Sequence, residues 1–143
     1  MSIRPANPED RDFILELAER FAAVPLPQGR EAASVLGGIL RDVTHHLDAD
    51  TADSRFFVLE QPPGQRAGFL HLQLAHDFFT GGRNCHVSDL AIAIGHEGRG
   101  HARALLAFAE AYAREHGCER LTLSVFPGNV RARALYESHG FET

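Results

Sequence analysis

Near its start, the chain carries two segments in which apolar residues recur at helical spacing. The apolar positions of the first segment are Phe13, Ile14, Leu17, Ala18 and Phe21. Those of the second are Val35, Leu36, Ile39, Leu40, Val43 and Leu47. Because this spacing places side chains on one helix face, both segments predict amphipathic helices that cover a sheet. Asn7 and Pro8 supply a start for the first helix, since they suit its N-cap and first position.

Strand patterns fill the middle of the chain. A short first strand is predicted over residues 2–5, a second over residues 56–60, and a third over residues 67–75. The third alternates, with Leu70, Leu72 and Leu74 on one face and Phe69, His71 and Gln73 on the other. A period of two is that of a strand, so we expect one face to pack on a core and the other to carry polar groups.

Residues 89–106 pass from an apolar strand through a glycine-containing loop into a helix. The apolar run ends at Gly95, Gly98 and Gly100 follow in the loop, and helical spacing of apolar residues begins at Ala102. Glycine lets the backbone approach a ligand, and the first N–H groups of a helix have no partner within that helix. This arrangement predicts a binding site for a phosphate group.

A further strand and helix follow. Residues 120–126 alternate as a strand, and Asn129 suits the N-cap of a short helix that contains Leu135 and Tyr136. The predicted order is one strand, two helices, three strands, a helix, a strand and a helix. This order is typical of a mixed α/β domain with helices on both faces of a sheet.

Length and composition restrict the class of protein. A chain of 143 residues, 44% of them hydrophobic, predicts one domain over residues 1–143. The net charge of -5 argues against a nucleic-acid surface, and no apolar run is long enough for a membrane span or a secretory signal. We therefore expect a cytoplasmic protein with neither nucleic-acid nor membrane partners. Cys85 and Cys118 are expected to be reduced thiols, and the histidine spacing predicts no metal site.

Two motifs resemble those of the GCN5-related N-acetyltransferase (GNAT) family, and the resemblance covers nearly the whole chain. The first is Glu97-Gly98-Arg99-Gly100-His101-Ala102, followed by Leu105-Leu106. The second contains Asn129, Ala132, Leu135, Tyr136, Gly140 and Phe141. The resemblance implies a central, splayed, mostly antiparallel sheet flanked by helices. It also implies that acetyl-CoA, the co-substrate, binds between two neighbouring parallel strands, here residues 87–94 and 120–126.

The resemblance also implies roles for particular residues. Backbone groups of Leu90, Ala91 and Ile92 would meet the pantetheine arm, and Asn129 would touch the same arm. The residues that would surround the pyrophosphate are Gly98, Arg99, Gly100, His101, Ala102 and Arg103. The resemblance places the hydroxyl of Tyr136 near the thioester sulfur, where it would protonate the leaving thiolate. The alternative for Tyr136 is an aromatic ring packed on the helix, with its hydroxyl in water.

Three positions depart from the family pattern. Glu97 stands where the family carries Arg or Gln, and we expect its side chain to point away from the phosphates because like charges repel. Ser124 stands where some members that acetylate proteins carry a catalytic Glu. The chain ends at Thr143, before the closing strands of the family, so we expect either a shortened chain, which we favour, or a strand supplied by a partner.

The predicted activity is transfer of an acetyl group from acetyl-CoA to a primary amine, by direct attack in a ternary complex. An alkyl amine is almost fully protonated at neutral pH, so a base or a water chain must remove a proton. Asp89 is the first candidate, followed by His71 and Glu60. The alternative for Asp89 is a solvated or loop-pairing carboxylate. A backbone N–H near residues 90–92 would hold the developing oxyanion.

The acceptor is open at this point. A small-molecule amine and a protein amine both fit, and a homodimer is common in the family. Acidic residues at the exit of the second helix could attract a cationic amine, or could simply be solvated. These residues are Asp42, Asp48, Asp50, Asp53 and Glu60. The competing hypothesis for the whole chain is a catalytically silent module that binds acyl-CoA.

Overall fold

The computed structural model describes residues 2–19, 32–49, 53–123 and 130–141. The strands are β1 (Ser2–Pro5), β2 (Ser54–Glu60), β3 (Arg66–His76), β4 (Arg83–Ile92) and β5 (Cys118–Leu123). The helices are α1 (Arg11–Ala18), α2 (Ala32–Ala49), α3 (His101–Glu115) and α4 (Val130–Ser138). Phe21, residues 124–126 and Asn129, all used in the sequence predictions, lie outside the described residues.

The described strands form one sheet in the order β1-β2-β3-β4-β5. Neighbours are antiparallel except for β4 and β5, which are parallel and are joined by α3. A parallel pair requires a crossover connection, and α3 provides it. The predicted mixed α/β fold, with a mostly antiparallel sheet, is confirmed.

Helices cover both faces of the sheet, as predicted. On one face, α3 packs Leu105, Ala109 and Ala113 against a core that includes Leu70 and Leu72. The residues of the core on the opposite face, which α1 and α2 cover, are Ile14, Leu17, Ala18, Val43, Phe56, Val58, Phe69 and Ala91. The alternation of β3 is therefore confirmed, because Leu70 and Phe69 belong to different cores.

The start of α1 is joined to the sheet by a buried carboxylate. Asn7 caps a short 3-10 turn (Pro8–Asp10) that leads into α1, and Asp10 accepts a hydrogen bond from the backbone N–H of Asn7. The fully buried Asp10 side chain also pairs with Arg4 of β1 and Arg66 of β3, each at 2.7 Å. These charge-assisted bonds keep the pKa of Asp10 well below its usual range, the bond from Arg4 being the largest cause.

A bulge interrupts β4 at the middle of the sheet. His71 pairs with Asp89 and Leu72 pairs with Val87, so Ser88 is an extra residue in β4. Side chains alternate along a strand, and one extra residue reverses which face the following side chains occupy. Val87 accordingly packs in the core under α3, whereas Ala91 packs in the core under α1 and α2.

Candidate active site

The bulge at Ser88 brings Asp89 to the same face as His71. Asp89 Oδ2 lies 2.8 Å from His71 Nδ1, in a pair in which the Asp89 side chain is 10% exposed and that of His71 is fully buried. The carboxylate predicted as the first candidate base therefore contacts the second candidate. Asp89 is thus neither solvated nor paired with a loop, the two alternatives to a base, and its role as a base stays a prediction.

A second contact extends from the other nitrogen of His71. Ser54 Oγ lies 2.8 Å from His71 Nε2 and 3.2 Å from His46 Nδ1. Ser54 begins β2 and is itself buried, whereas His46 belongs to α2 and has a side chain that is 20% exposed. One line of polar contacts therefore leads from the middle of the sheet to the covering helix.

A glutamine and a serine also contact this line of polar residues. Together with Asp89, His71, Ser54 and His46 they form what is called the polar layer below. Gln73 Nε2 lies 3.2 Å from His46 Nε2, and Ser88 Oγ donates to Gln73 Oε1 at 2.6 Å. The Ser88 residue that forms the bulge thus also orients the Gln73 amide. Asp42 lies on the outer side of His46, with 3.5 Å between Oδ1 and Nε2.

The sequence predictions missed Ser54, His46, Gln73 and Ser88 as members of this layer. The alternation of β3 placed Gln73 with His71 on the polar face, and that signal could have identified it. Ser54 was assigned to the loop before β2, because nothing in a lone serine indicates that a strand begins there. His46 was considered only as a metal ligand.

Glu60, the third candidate base, is held elsewhere. Glu60 Oε1 accepts a hydrogen bond from Arg4 Nε at 2.7 Å. Glu60 pairs across the sheet with Arg66. Arg66 is five residues from His71 along β3, a separation of about 16 Å at ~3.3 Å per residue. The structure therefore separates Glu60 from the pair of Asp89 and His71.

The loop between β4 and α3 has the backbone that its glycines predict. Gly95, Gly98 and Gly100 all have positive φ values, of 89°, 76° and 80°. Gly100 occupies the N-cap of α3, and a methyl group placed on any of the three would meet nothing within 4 Å. Space therefore lies open above the loop, at the positive end of the α3 dipole, which suits a diphosphate group.

Leu90, Ala91 and Ile92, predicted to bind the pantetheine arm, occupy the last part of β4. In the described residues, the pairing of β4 with β5 ends at Val87 and Leu123. The three residues lie at the end of β4 that leads to the glycine loop.

Other predicted loop residues have different surroundings. Arg99 is exposed, whereas the imidazole of His101 is buried, and neither of its nitrogens has a hydrogen-bond partner among the described residues. The backbone rather than the ring of His101 is therefore the group available to a ligand. Ala102 and Arg103 belong to the first turn of α3, and Arg103 donates to Ser138 Oγ at 2.8 Å.

Glu97 forms an ion pair with α4. It is exposed, and its carboxylate lies 3.5 Å from Arg131 Nη1. Arg131 belongs to α4, so this ion pair connects the glycine loop to that helix. The negative charge of Glu97 therefore faces the guanidinium of Arg131.

Tyr136 lies on the same helix, α4, which a second contact holds beside α3. His139, directly after α4, lies 3.0 Å from Glu110 of α3. The Tyr136 ring is partly buried and meets Phe141 with 6.2 Å between the ring centroids. Burial raises the pKa of the Tyr136 hydroxyl. The hydroxyl therefore stays protonated at neutral pH, as a proton donor must.

Three acidic residues near the exit of α2 contact arginine or histidine side chains. Asp48 pairs with Arg11, Asp53 lies 3.8 Å from Arg83, and Asp42 contacts His46. Asp50 lies outside the described residues.

Both cysteines are free thiols, as predicted. Among the described residues, no group of three or more His, Cys, Asp or Glu side chains is arranged to hold a metal ion. Within the same ranges, no helix combines the length and the apolar composition that crossing a membrane requires.

Comparison with known proteins agrees with this architecture. A sequence model of the acetyltransferase (GNAT) family matches residues 15–141. Streptothricin acetyltransferase of Streptomyces lavendulae is 34% identical over 94 residues, which cover 66% of this chain and 48% of that protein. Aminoglycoside N(6')-acetyltransferase type 1 of Stenotrophomonas maltophilia is 32% identical over 106 residues, which cover 72% of this chain and 68% of that protein. The chain thus spans about half of the first relative and two thirds of the second.

A solved structure has a similar fold. An aminoglycoside N-acetyltransferase in complex with CoA superposes with a TM-score of 0.74 and 19% identity, covering 99% of this chain and 88% of that one. This similarity supports the fold assignment.

Proposed function

Because the chain belongs to the acetyltransferase (GNAT) family, whose members are acetyl-CoA-dependent N-acyltransferases, we propose that it acetylates a primary amine of a small, cationic molecule. The two relatives described above are named for streptothricin and for aminoglycosides, both small-molecule acceptors. The net charge of -5 favours the approach of a cationic acceptor. The observation that carries the enzymatic proposal is the nearly buried Asp89 carboxylate, paired with His71 at the β4 bulge.

In this proposal, the glycine loop and the first turn of α3 hold the pyrophosphate. The positive φ values of Gly98 and Gly100 and the open space above them fit such a group. The residues that would take part are Gly98, Arg99, Gly100, His101, Ala102 and Arg103, together with backbone groups of Leu90, Ala91 and Ile92, and Asn129. When bound, acetyl-CoA supplies the acetyl thioester. Arg103 also contacts α4, so the same turn would hold that helix near the site.

Asp89 acts as the base in this proposal. Its Oδ2 is occupied by His71, which leaves Oδ1 to accept a proton from the amine. Tyr136 acts as the acid, because its partly buried side chain keeps the hydroxyl protonated and the hydroxyl can give its proton to the leaving sulfur. The two groups would act in one ternary complex, so the amine attacks the thioester directly and no acyl-enzyme forms.

Release of thiol from acetyl-CoA tests the activity. The purified chain is incubated with acetyl-CoA and an aminoglycoside, a streptothricin-type amine or a peptide with a free N-terminus. We expect release with at least one of the small-molecule amines, and none with a matched sugar in which hydroxyl groups replace the amines. Binding of CoA without release for any amine would contradict the proposal and would support the silent acyl-CoA-binding module.

The role of Asp89 has its own test. Asp89→Asn keeps the size of the side chain but removes the base, so we expect kcat to fall by about 10²- to 10⁴-fold while the Kd for CoA stays the same. Glu60→Gln is the matched control, because Glu60 bonds to Arg4 outside the site. An Asp89→Asn protein with the kcat of the unsubstituted protein would show that another group removes the proton.

A further inference from the structure

A directed chain of hydrogen bonds leads to the Asp89 carboxylate from α2. Its members, from the outside inward, are His46, Ser54, His71 and Asp89. The three distances are 3.2, 2.8 and 2.8 Å, so each neighbouring pair lies within hydrogen-bonding reach.

The direction of each bond follows from what each group can donate. An ionised carboxylate only accepts, so His71 Nδ1 must carry the proton that faces Asp89. In the neutral ring, His71 Nε2 is then an acceptor, and the single hydroxyl proton of Ser54 points to it. Ser54 Oγ has no second proton, so His46 Nδ1–H donates to it. Every bond thus points towards Asp89.

Three further side chains fix the outer end of this chain. Ser88 Oγ donates to Gln73 Oε1 at 2.6 Å, which turns the Gln73 amide nitrogen towards His46. That nitrogen lies 3.2 Å from His46 Nε2 and 3.4 Å from His46 Nδ1, and Asp42 Oδ1 lies 3.5 Å from Nε2. Gln73 and Asp42 thus hold the His46 ring in place, and the requirement for a proton on Nδ1 comes from Ser54.

Aromatic packing immobilises the central ring. Phe56 stacks on His71 with 4.0 Å between ring centroids and 6° between planes, and His46 lies 5.0 Å away on α2. The His71 side chain is fully buried. A buried polar group with fixed partners is costly to rearrange, so the ring holds one orientation.

We infer that His71, Ser54 and His46 are positioning residues that lock the carboxylate of Asp89. In the proposed function, on which this inference rests, they commit Oδ2 to His71 and leave Oδ1 directed to the amine. His71 is the direct partner of Asp89, and Ser54 and His46 act through His71 by selecting its Nδ1–H tautomer. Because His71 binds one oxygen of the carboxylate, the other oxygen is held in one orientation. A fixed orientation of the base favours proton transfer from the amine.

The tautomers provide a test that needs no substrate. Long-range ¹H–¹⁵N correlation spectra of ¹⁵N-histidine-labelled protein distinguish Nδ1–H from Nε2–H rings, and His71→Asn and His46→Asn assign the signals. We expect both rings to be Nδ1–H tautomers. We also expect that His46 is no longer restricted to the Nδ1–H tautomer in Ser54→Ala, because the oxygen that accepts from Nδ1 is removed. An Nε2–H tautomer at His71 in the unsubstituted protein would overturn the inference.

Two isosteric variants test the effect on catalysis. The amide nitrogen of Asn occupies the place of a histidine Nδ1, whereas that of Gln occupies the place of Nε2. We therefore expect His71→Asn to keep its donation to Asp89 and a kcat within about threefold of the unsubstituted protein. His71→Gln should lose about 10- to 100-fold in kcat, the range found when outer hydrogen-bond partners of metal-site residues are removed, with an unchanged KM for acetyl-CoA. Equal losses in both variants would show a merely structural role.

Ser54 offers a second pair in case the His71 variants unfold. Ser54→Thr retains the hydroxyl and should retain kcat, whereas Ser54→Ala should lower kcat by about tenfold without changing the KM for acetyl-CoA. A Ser54→Ala protein with full kcat would overturn the role of the outer chain. Thermal melting of each variant separates a loss of folding from a loss of positioning.

The same three residues, Ser54, His71 and Asp89, also have the contacts of a nucleophilic triad, so the intact mass of the protein after incubation with acetyl-CoA is informative. The inference predicts no acetyl group on Ser54, and an acetylated Ser54 would overturn it. If the unsubstituted protein acetylates no amine, the proposed function fails. The histidine tautomers then still decide whether the directed chain exists.

Discussion

Tyr136 and Asp89 carry the proposed acid and base chemistry from two different elements. Tyr136 lies on α4, and Asp89 lies in β4 beyond the bulge. Burial raises the pKa of the tyrosine hydroxyl, whereas the carboxylate is held by a histidine. The two groups are therefore held in different ways, because burial keeps the proton on the tyrosine and a histidine positions the carboxylate.

At Tyr136, removing the hydroxyl alone should affect turnover. We expect Tyr136→Phe to lower kcat by about tenfold or more, since general acid catalysis contributes ~10²- to 10⁴-fold and water can replace part of it. The Kd for CoA, measured by calorimetry, should stay the same because the ring remains. Equal kcat in the two proteins would remove Tyr136 from the mechanism.

Cys85 is a second residue whose reactivity depends on its position in the fold. It is fully buried in the core under α3, and burial raises the pKa of its thiol to about 12. We expect one thiol per native chain to react promptly with a disulfide reagent, because the thiolate is the reactive form. Cys118→Ser should abolish that reaction, and Cys85 should react only when the chain unfolds. Prompt reaction of Cys85 in the folded Cys118→Ser protein would contradict this expectation.

Among the elements, the glycine loop and the start of α3 form the proposed anion site. Gly100 has a φ of 80°, which costs an L-residue about 1–2 kcal/mol. A methyl group there meets no protein atom within 4 Å. It would instead project into the space proposed for the pyrophosphate.

Gly100→Ala should therefore weaken CoA binding by about tenfold, measured by calorimetry, while the fold is kept. Gly64→Ala is the matched control, because Gly64 has a φ of 83° and open space around it but lies in the turn between β2 and β3. Both substitutions should lower the free energy of unfolding by about 1–2 kcal/mol. Equal effects of both substitutions on CoA binding would argue against the loop as the phosphate site.

The existence and type of the described elements follow from local pattern. Helical stripes predicted α1, α2 and α3, and the alternation of β3 correctly assigned Leu70 and Phe69 to opposite cores. The start of β2 was predicted two residues late, at Phe56 rather than Ser54. Ser54 and Arg55 are polar or charged, and their strand conformation comes from pairing with Gln73 and Leu72 of β3.

At the scale of the molecule, Asp10 joins the N-terminal strand, α1 and the middle of the sheet. It is fully buried and bonds to Arg4 and Arg66. Removing one partner of a buried ion pair costs about 3–5 kcal/mol. Because both arginines are partly exposed, we expect Asp10→Asn to lower the free energy of unfolding by about 3 kcal/mol.

The effect of pH follows from the lowered pKa of Asp10. A group whose pKa is lower in the folded state contributes stability above its unfolded pKa of ~3.9, and loses it as the pH falls towards the folded pKa. The stability difference between the unsubstituted protein and Asp10→Asn should be constant from pH 7 to 5 in urea unfolding, and should shrink at pH 3. Asp12→Asn, at an exposed position of α1, is the control and should change stability by less than about 0.5 kcal/mol. A difference that stays constant to pH 3 would contradict the assignment.

The sequence by itself determined which faces of β3 are apolar or polar, where the helices lie, and that glycines open a loop before α3. These properties depend on spacing within a few residues, so a single segment encodes them. It also indicated Asp89 and His71 as candidate bases.

Only the tertiary structure decided that Asp89 and His71 meet. Without the bulge at Ser88, Asp89 would share the face of Val87 and point under α3. The bulge depends on the register between β3 and β4, which no local pattern in β4 specifies. The links to Ser54 and His46 likewise join segments that only packing brings together, because α2 must lie across the sheet for His46 to reach Ser54.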